Sequence, residues 1–291
     1  MLKLVTTTDV PSRHFGIPKA IEMIAEAGFD GCDWSMFPYA EPGDFFDQPD
    51  WRVTAASYKK TADENHVPFL QAHAPFPTFF PEDAEKTARL KKALDASIEA
   101  CSIVECPNII FHPGAFYPLP TTEEGRAEIL KKNIEFYGAF LPRAKELGVT
   151  ICTENMFGYS NRYQRITPCY FSFADELNAL VDALDGQIGV CLDTGHTVLV
   201  NDTMQHMARV FGKRLKALHV HSNDGVHDSH TAPLIFPMDW EEFGAALHEV
   251  VYDGPMTLEA DNFLVPLPKD MIALGLRFLC ENARYVASLV K

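Results

Sequence analysis

Eight short apolar runs, each followed by a longer stretch with helical spacing, constrain this chain more than any other feature of it. The runs are Leu2–Thr8, Phe29–Ser35, Pro68–Ala74, Asn108–Pro113, Val149–Asn155, Ile188–Asp193, Leu215–Ser222 and Pro255–Ala260. Their length suits strands buried on both faces. The stretches between them are 18–27, 51–65, 83–104, 123–147, 173–184, 203–212, 239–250 and 269–289. In 83–104, Leu90, Leu94, Ile98 and Cys101 recur at spacings of three and four, one apolar stripe of a helix. Gly28 and Gly148 mark two helix ends, each just ahead of a strand. Eight strands alternating with eight helices, with no linker or break in composition, predict the α/β class. The expected architecture is a single (β/α)8 barrel, or TIM barrel, spanning 1–291. An open doubly wound sheet is the rival fold, but no G-x-G-x-x-G follows the first strand and no phosphate-binding loop is present.

Composition narrows the class of partner. Hydrophobic residues make up 47% and charged residues 22%, which excludes a disordered chain or a fibre. No run approaches the length of a transmembrane helix, so no membrane partner is expected. The N-terminal segment reads as a strand rather than a signal peptide. With 25 Lys+Arg against 40 Asp+Glu the formal net charge is −15, which argues against a nucleic-acid partner. The seven cysteines are odd in number and include no C-x-x-C, which suits reduced thiols. The expected location is the cytoplasm.

In a barrel of this kind, chemistry sits at the carboxyl ends of the strands. Here those ends carry His73, His112, Glu154, Asp193 with His196, His219 and His221, and Glu259; Asp228 and His230 follow shortly after the seventh strand. Buried carboxylates are rare unless paired or coordinating, and several at one mouth would repel each other without a cation among them. A metal site is therefore expected. Carboxylates and imidazoles without thiolate suit Mn first, with Mg, Co or Zn as alternatives. Strand alternation places Gln71, Ile110, Cys152, Cys191, His219 and Thr257 one layer below the mouth. His221, nearer the mouth, is then the better ligand and His219 its hydrogen-bonded supporter. Trp34 and Phe37 offer an apolar wall for a substrate or simple core packing; Phe76, Phe79 and Phe80 invite the same two readings. The aromatic stretch 157–173 reads either as a lid or as a loop against a partner subunit.

The motifs FHPG (111–114), TEN (153–155), VCLDTGH (190–196), HSND (221–224), DSH (228–230) and LEAD (258–261) carry a resemblance. The chain resembles the xylose isomerase-like barrel superfamily, which includes sugar isomerases and epimerases and the endonuclease IV group of DNA-repair enzymes. In the ketose 3-epimerases, the resemblance implies one divalent ion held by Glu154, Asp193, His221 and Glu259. It also implies that Glu154 and Glu259 act as acid and base on a ketose or keto-polyol, through a metal-stabilised enediolate. The same resemblance places His196 on a substrate oxygen, and His73, His112, Asp228 and His230 complete the expected substrate-binding set with Trp34. An Arg that usually follows the metal histidine has no counterpart, because no Lys or Arg lies between Lys216 and Lys269; that contact is expected to be either missing or replaced by His227 or His230. A homodimer or homotetramer is likewise implied by the resemblance alone.

Three alternatives stand beside this reading. A trinuclear zinc phosphodiesterase acting on abasic DNA would use His73, His112, Glu154, Asp193, His196, His221, Asp228, His230 and Glu259 together. A lyase or dehydratase could run on the same enediolate chemistry. A non-catalytic partner subunit could retain the site for stability. The charge of −15 and the lack of basic residues around the last two strands weigh against the phosphodiesterase.

Overall fold

The computed structural model describes residues 2–39, 41–78, 83–114 and 122–291. Ten strands occur among these residues: β1 (Leu4–Thr7), β2 (Gly31–Ser35), β3 (Phe69–His73), β4 (Asn108–Phe111), β5 (Thr150–Glu154), β6 (Gly158–Ser160), β7 (Arg165–Thr167), β8 (Gly189–Asp193), β9 (Leu215–His219) and β10 (Met256–Leu258). Eight of them form one parallel sheet in the order β10-β1-β2-β3-β4-β5-β8-β9. An isolated parallel bridge, Val220 to Leu258, joins the last strand back to the first in that order. Val220 N–H donates to the Thr257 carbonyl at 2.8 Å and Glu259 N–H to the Val220 carbonyl at 3.2 Å, closing the cylinder. The fold is a TIM barrel, and each of the eight runs of the sequence contains one of its strands.

Helices pack the outside of the barrel, and the two glycine stop signals lie where expected. Gly28 and Gly148 sit in the left-handed region at φ 97° and 69°, which a residue with a Cβ adopts at a cost. The stretch 123–147 is two helices, Glu123–Gly138 and Leu141–Leu147. Pro142 lacks an amide hydrogen, so the chain restarts there with proline in a first turn.

Two apolar compartments result. The larger lies between sheet and helices. The smaller, Ile110, Cys152, Cys191 and Ala217, plugs the inside of the barrel. Cys152 and Cys191 are therefore packing residues, and burial pushes the Cys152 thiol up to about 12. Gln71 and Thr257 share this layer: the Thr257 hydroxyl donates to Gln71 Oε1 at 3.1 Å, and Gln71 Nε2 donates to Asp33 Oδ2 at 2.9 Å.

Trp34 belongs to the other compartment. It is fully buried, ringed by Tyr39, Phe45, Tyr58 and Phe69 at centroid distances of 5.6–6.5 Å. The expectation that Trp34 binds substrate is corrected: strand alternation turns its neighbour Asp33 into the barrel and Trp34 away from it.

Candidate metal and sugar site

The site is built at the carboxyl ends of the strands, and short helices there aim side chains inward. Asp193 ends β8 and caps the helix Thr194–Leu199, accepting a hydrogen bond from the His196 N–H at 2.7 Å. A carboxylate at a helix N-cap is well placed both for that bond and for the helix dipole. The turn directs the His196 ring back over the mouth. Residue 195 has to be glycine here, because a Cβ at that position would lie 2.1 Å from the His221 ring. Asn155 ties β5 to β8: its Nδ2 donates to the Asp193 carbonyl at 3.0 Å and its Oδ1 accepts from the Asp193 N–H at 2.8 Å.

Three histidines have the same tautomer. The Nδ1 of His73 lies 2.8 Å from the Ala74 carbonyl, that of His196 2.7 Å from the Asn155 carbonyl, and that of His230 3.0 Å from the Glu259 carbonyl. A carbonyl can only accept, so each Nδ1 carries the hydrogen and each Nε2 is turned to the site. Anchoring one imidazole nitrogen so that the other is presented is how proteins orient metal- and substrate-binding histidines.

The carboxylates converge among these rings. His219 Nδ1 stands 2.9 Å from Glu154 Oε1 and 3.2 Å from Glu259 Oε2, between the two glutamates. His221 Nε2 is 3.0 Å from both oxygens of Asp193. His112 Nε2 lies 3.2 Å from Glu154 Oε2, and His230 Nε2 3.0 Å from Asp228 Oδ2. Five overlapping groups of ligand atoms occur among the described residues, each within 4.8 Å: Glu154, Asp193, His219 and Glu259; His196, His221, Asp228 and His230; His73, His112 and Glu154; His73, His219 and Glu259; and Glu154, Cys191 and His219. The three carboxylates expected together are together, with His219 in their midst. His221 falls in the adjoining group and touches the first through Asp193.

Electrostatics follow from this crowding. Burial alone would raise the Glu154 carboxyl, but His219 and His112 hold it well below its usual range. Asp193 is lowered against its own burial by His196 and His221. Glu259 is raised, by burial first and by the nearby Glu154 charge. Burial opposes charge on His196, yet Asp193, Asp228 and Glu154 lift it to about 10. His219 and His230 are lifted well above the ordinary imidazole value against burial, in each case by neighbouring anionic groups that include Glu259. Burial lowers His112 to about 4.

The residues fit a divalent cation. Glu154 Oε2, Asp228 Oδ1 and His221 Nδ1 are buried without a hydrogen-bond partner among the described residues, in a set of hard oxygen and imidazole donors. Phenyl rings back the histidines: Phe37 against His73 at 4.1 Å, Phe76 against His112 at 4.5 Å and Phe157 against His196 at 4.9 Å. They narrow the mouth with apolar surface. Phe79 and Phe80 lie outside the described residues. His230 stacks on His221 at 4.0 Å, whereas His227 is exposed and bonded to Asp224, so of the two histidines only His230 is at the site.

One neighbour of the site was not evident from sequence: Asp33 lies beneath His219, at 3.8 Å from its Nε2. Asp261, which closes the LEAD motif, has its carboxyl raised by burial and by Asp9, Glu259 and Asp33. An aspartate in the middle of an apolar strand was the available signal for Asp33.

The stretch 157–173 contains the antiparallel hairpin β6–β7. Its base is held by Ser172, whose hydroxyl donates to the Met156 carbonyl at 2.7 Å and accepts from the Cys169 N–H at 2.7 Å. Tyr159 and Tyr163 on the hairpin are exposed, with the Arg162 and Arg165 guanidinium groups against Tyr163.

The family model for the xylose isomerase-like TIM barrel matches residues 21–282. Among curated proteins, D-psicose 3-epimerase of Agrobacterium fabrum is 22% identical over 242 residues, covering 82% of this chain and 77% of its own. A crystal structure of D-psicose 3-epimerase in the presence of D-fructose superposes with a TM-score of 0.72 at 19% identity, covering 98% of this chain and 99% of that one. A structure of L-ribulose 3-epimerase gives a TM-score of 0.74 at 15% identity, covering 100% and 95%. With the fold closed, histidines and carboxylates gathered at its strand ends and the family model spanning most of its length, the chain belongs to the xylose isomerase-like TIM barrel family.

Proposed function

We propose that this chain is a divalent-metal-dependent isomerase or epimerase of a small unphosphorylated ketose or keto-polyol. The observation that carries the reading is the pair of buried glutamates, Glu154 and Glu259, which converge on one imidazole nitrogen, Nδ1 of His219, at 2.9 and 3.2 Å. Two carboxylates at one substrate can serve as the two ends of a proton transfer. Named relatives that act on ketoses, D-psicose 3-epimerase and L-ribulose 3-epimerase, add support.

A cation held by Glu154, Asp193, Glu259 and His221, with His219 beside them, would supply positive charge next to the oxygens that turn negative as a substrate proton leaves. One glutamate takes the proton α to the carbonyl. Return by the other from the opposite face inverts that carbon; transfer to the neighbouring carbon moves the carbonyl. The Nε2 atoms of His196 and His230 are placed to bond substrate oxygens, and the phenyl rings of Phe37, Phe76 and Phe157 exclude water. The described partners of the site carboxylates are imidazoles and backbone groups, which suits a substrate without a phosphate. Manganese is the metal we favour.

The test is turnover of ketoses in deuterated water. Label is expected at the carbon that changes, and Glu154→Gln or Glu259→Gln should each cut the rate by about a hundredfold or more. Full turnover by the Glu259→Gln protein, still metal-dependent, would refute the mechanism.

A second reading rests on the overlapping ligand groups, which together offer more donors than one ion takes. It makes the chain a trinuclear zinc phosphodiesterase acting on DNA, whose activity would be lost in His73→Ala and Asp228→Ala. The net charge of −15 and the absence of Lys or Arg between Lys216 and Lys269 favour the sugar enzyme.

A further inference from the structure

The mouth of the barrel has two unlike halves. From β8 round to the segment after β10 it carries Asp193, His196, Asp228, His230 and Glu259. From β2 to β5, neighbours in the sheet, it is faced with phenyl rings. Phe37 follows β2 and lies against His73 at 4.1 Å, Phe76 follows β3 and lies against His112 at 4.5 Å, and Phe157 follows β5 and lies against His196 at 4.9 Å. The Phe76 N–H donates to the Phe37 carbonyl at 3.3 Å, which ties these two turns together. Phe76 is 44% exposed, so the apolar wall continues from the histidines out to solvent. The polar side chains beside these rings are already engaged. The Nε2 atoms of His73 and His112 meet at 2.9 Å and stand 3.8 and 3.2 Å from Glu154 Oε2. His73 Nδ1 is spent on the Ala74 carbonyl, and His112 Nδ1 is buried. Both ends of the Asn155 amide are taken by the Asp193 backbone.

A bare sugar carries a hydroxyl on almost every carbon, and each loses water on entering a site and needs a partner there. His73, His112 and Asn155 have little left to give such hydroxyls. Phenyl rings beside spent donors suit a group without hydroxyls, and a flat aromatic one gains by stacked or edge-to-face contact. We propose that the substrate is a keto sugar bearing an aromatic group, joined through an ether or glycosidic oxygen. This deepens the isomerase or epimerase reading and rests on it. The sugar oxygens lie on the polar half with the cation, and the aromatic group lies along Phe37 and Phe76. A site with one polar and one apolar half also fixes which way round the substrate enters.

Two measurements on the metal-loaded chain test this, one of binding and one of turnover. Phenyl β-D-glucopyranoside has no free carbonyl to react, so titration calorimetry against methyl β-D-glucopyranoside reads the apolar half alone. The phenyl glycoside should bind about tenfold more tightly. In deuterated water, kcat/KM for exchange into the better of the 1-O- and 6-O-benzyl ethers of D-fructose should exceed that for D-fructose by about the same factor. Phe76→Ala should bring both ratios down to about threefold or less, and Phe76→Trp should keep them. Circular dichroism and metal content must match wild type for a variant to count, and the wild-type ratios decide the matter without one. Equal affinity for the two glycosides, exchange of D-fructose as fast as of its ethers, or ratios unchanged in folded Phe76→Ala would overturn the proposal. Exchange of D-fructose without any preference would overturn it and leave the isomerase reading intact. Preferential binding of the phenyl glycoside with no exchange in any ketose would strike that reading and leave the aromatic wall standing.

Discussion

His196, His219 and His230 show how much of the site is set by neighbours rather than by residue type. Each is buried, which disfavours charge, and each is nevertheless raised by anionic groups around it. Raised imidazoles stabilise the metal-free fold fully below their unfolded value of about 6.5, and that stability is lost as pH climbs through the folded values. The raised carboxyls of Glu259 and Asp261 act in the same direction, while the lowered Glu154 and Asp193 lose their contribution only on the acid side. The metal-stripped protein should therefore melt at a lower temperature at pH 9 than at pH 6. Bound divalent ion should abolish that fall, because it replaces the protons as counter-charge. A differential scanning series with and without chelator checks this; a Tm flat or rising from pH 6 to 9 without metal would contradict it. That His73, His112, Glu154, Asp193, His196, His221, Asp228, His230 and Glu259 lie close together was readable because strand ends are readable. The choice between His219 and His221 was not, since both lie on one strand face and only the positions of Glu154, Glu259 and Asp193 show which carboxylate each ring meets.

Elements fix which face a residue presents, and here sequence patterns lose information. In β2 the order Cys32-Asp33-Trp34-Ser35 has a clear alternation but no visible parity, and only the packing of Trp34 against Tyr39, Phe45, Tyr58 and Phe69 shows it. Trp34 consequently anchors the aromatic cluster outside the barrel. Trp34→Ala should cost about 3–5 kcal/mol of stability in a denaturant titration. In the protein that remains folded, KM should be unchanged, whereas a raised KM at intact stability would return Trp34 to the substrate. The short helices Asp9–Phe15, Thr194–Leu199 and Asp261–Leu264 were also hidden, because too few residues separate them from a strand for periodicity to register. Hairpin β6–β7 was read only as an aromatic stretch. Its strands are three residues each, below the length at which alternation is informative. The eight long repeats of strand and helix were legible for the converse reason: each must bury a continuous apolar face.

At the scale of the whole molecule, closing the barrel concentrates like charges. Parallel pairing of all eight strands brings the carboxylates of β5, β8 and the segment after β10 to one end, although they come from distant parts of the chain. The net charge of −15 offers no general relief, and the histidines compensate only while they hold protons. A bound cation would resolve that conflict, and the proposed chemistry centres on one ion held by Glu154, Asp193, His221 and Glu259. The direct measurement is elemental analysis of the protein as purified, before any metal is added. About one exchangeable divalent ion per chain is the result predicted here, manganese foremost. About three tightly held zinc ions per chain would contradict it and point instead to phosphodiester cleavage.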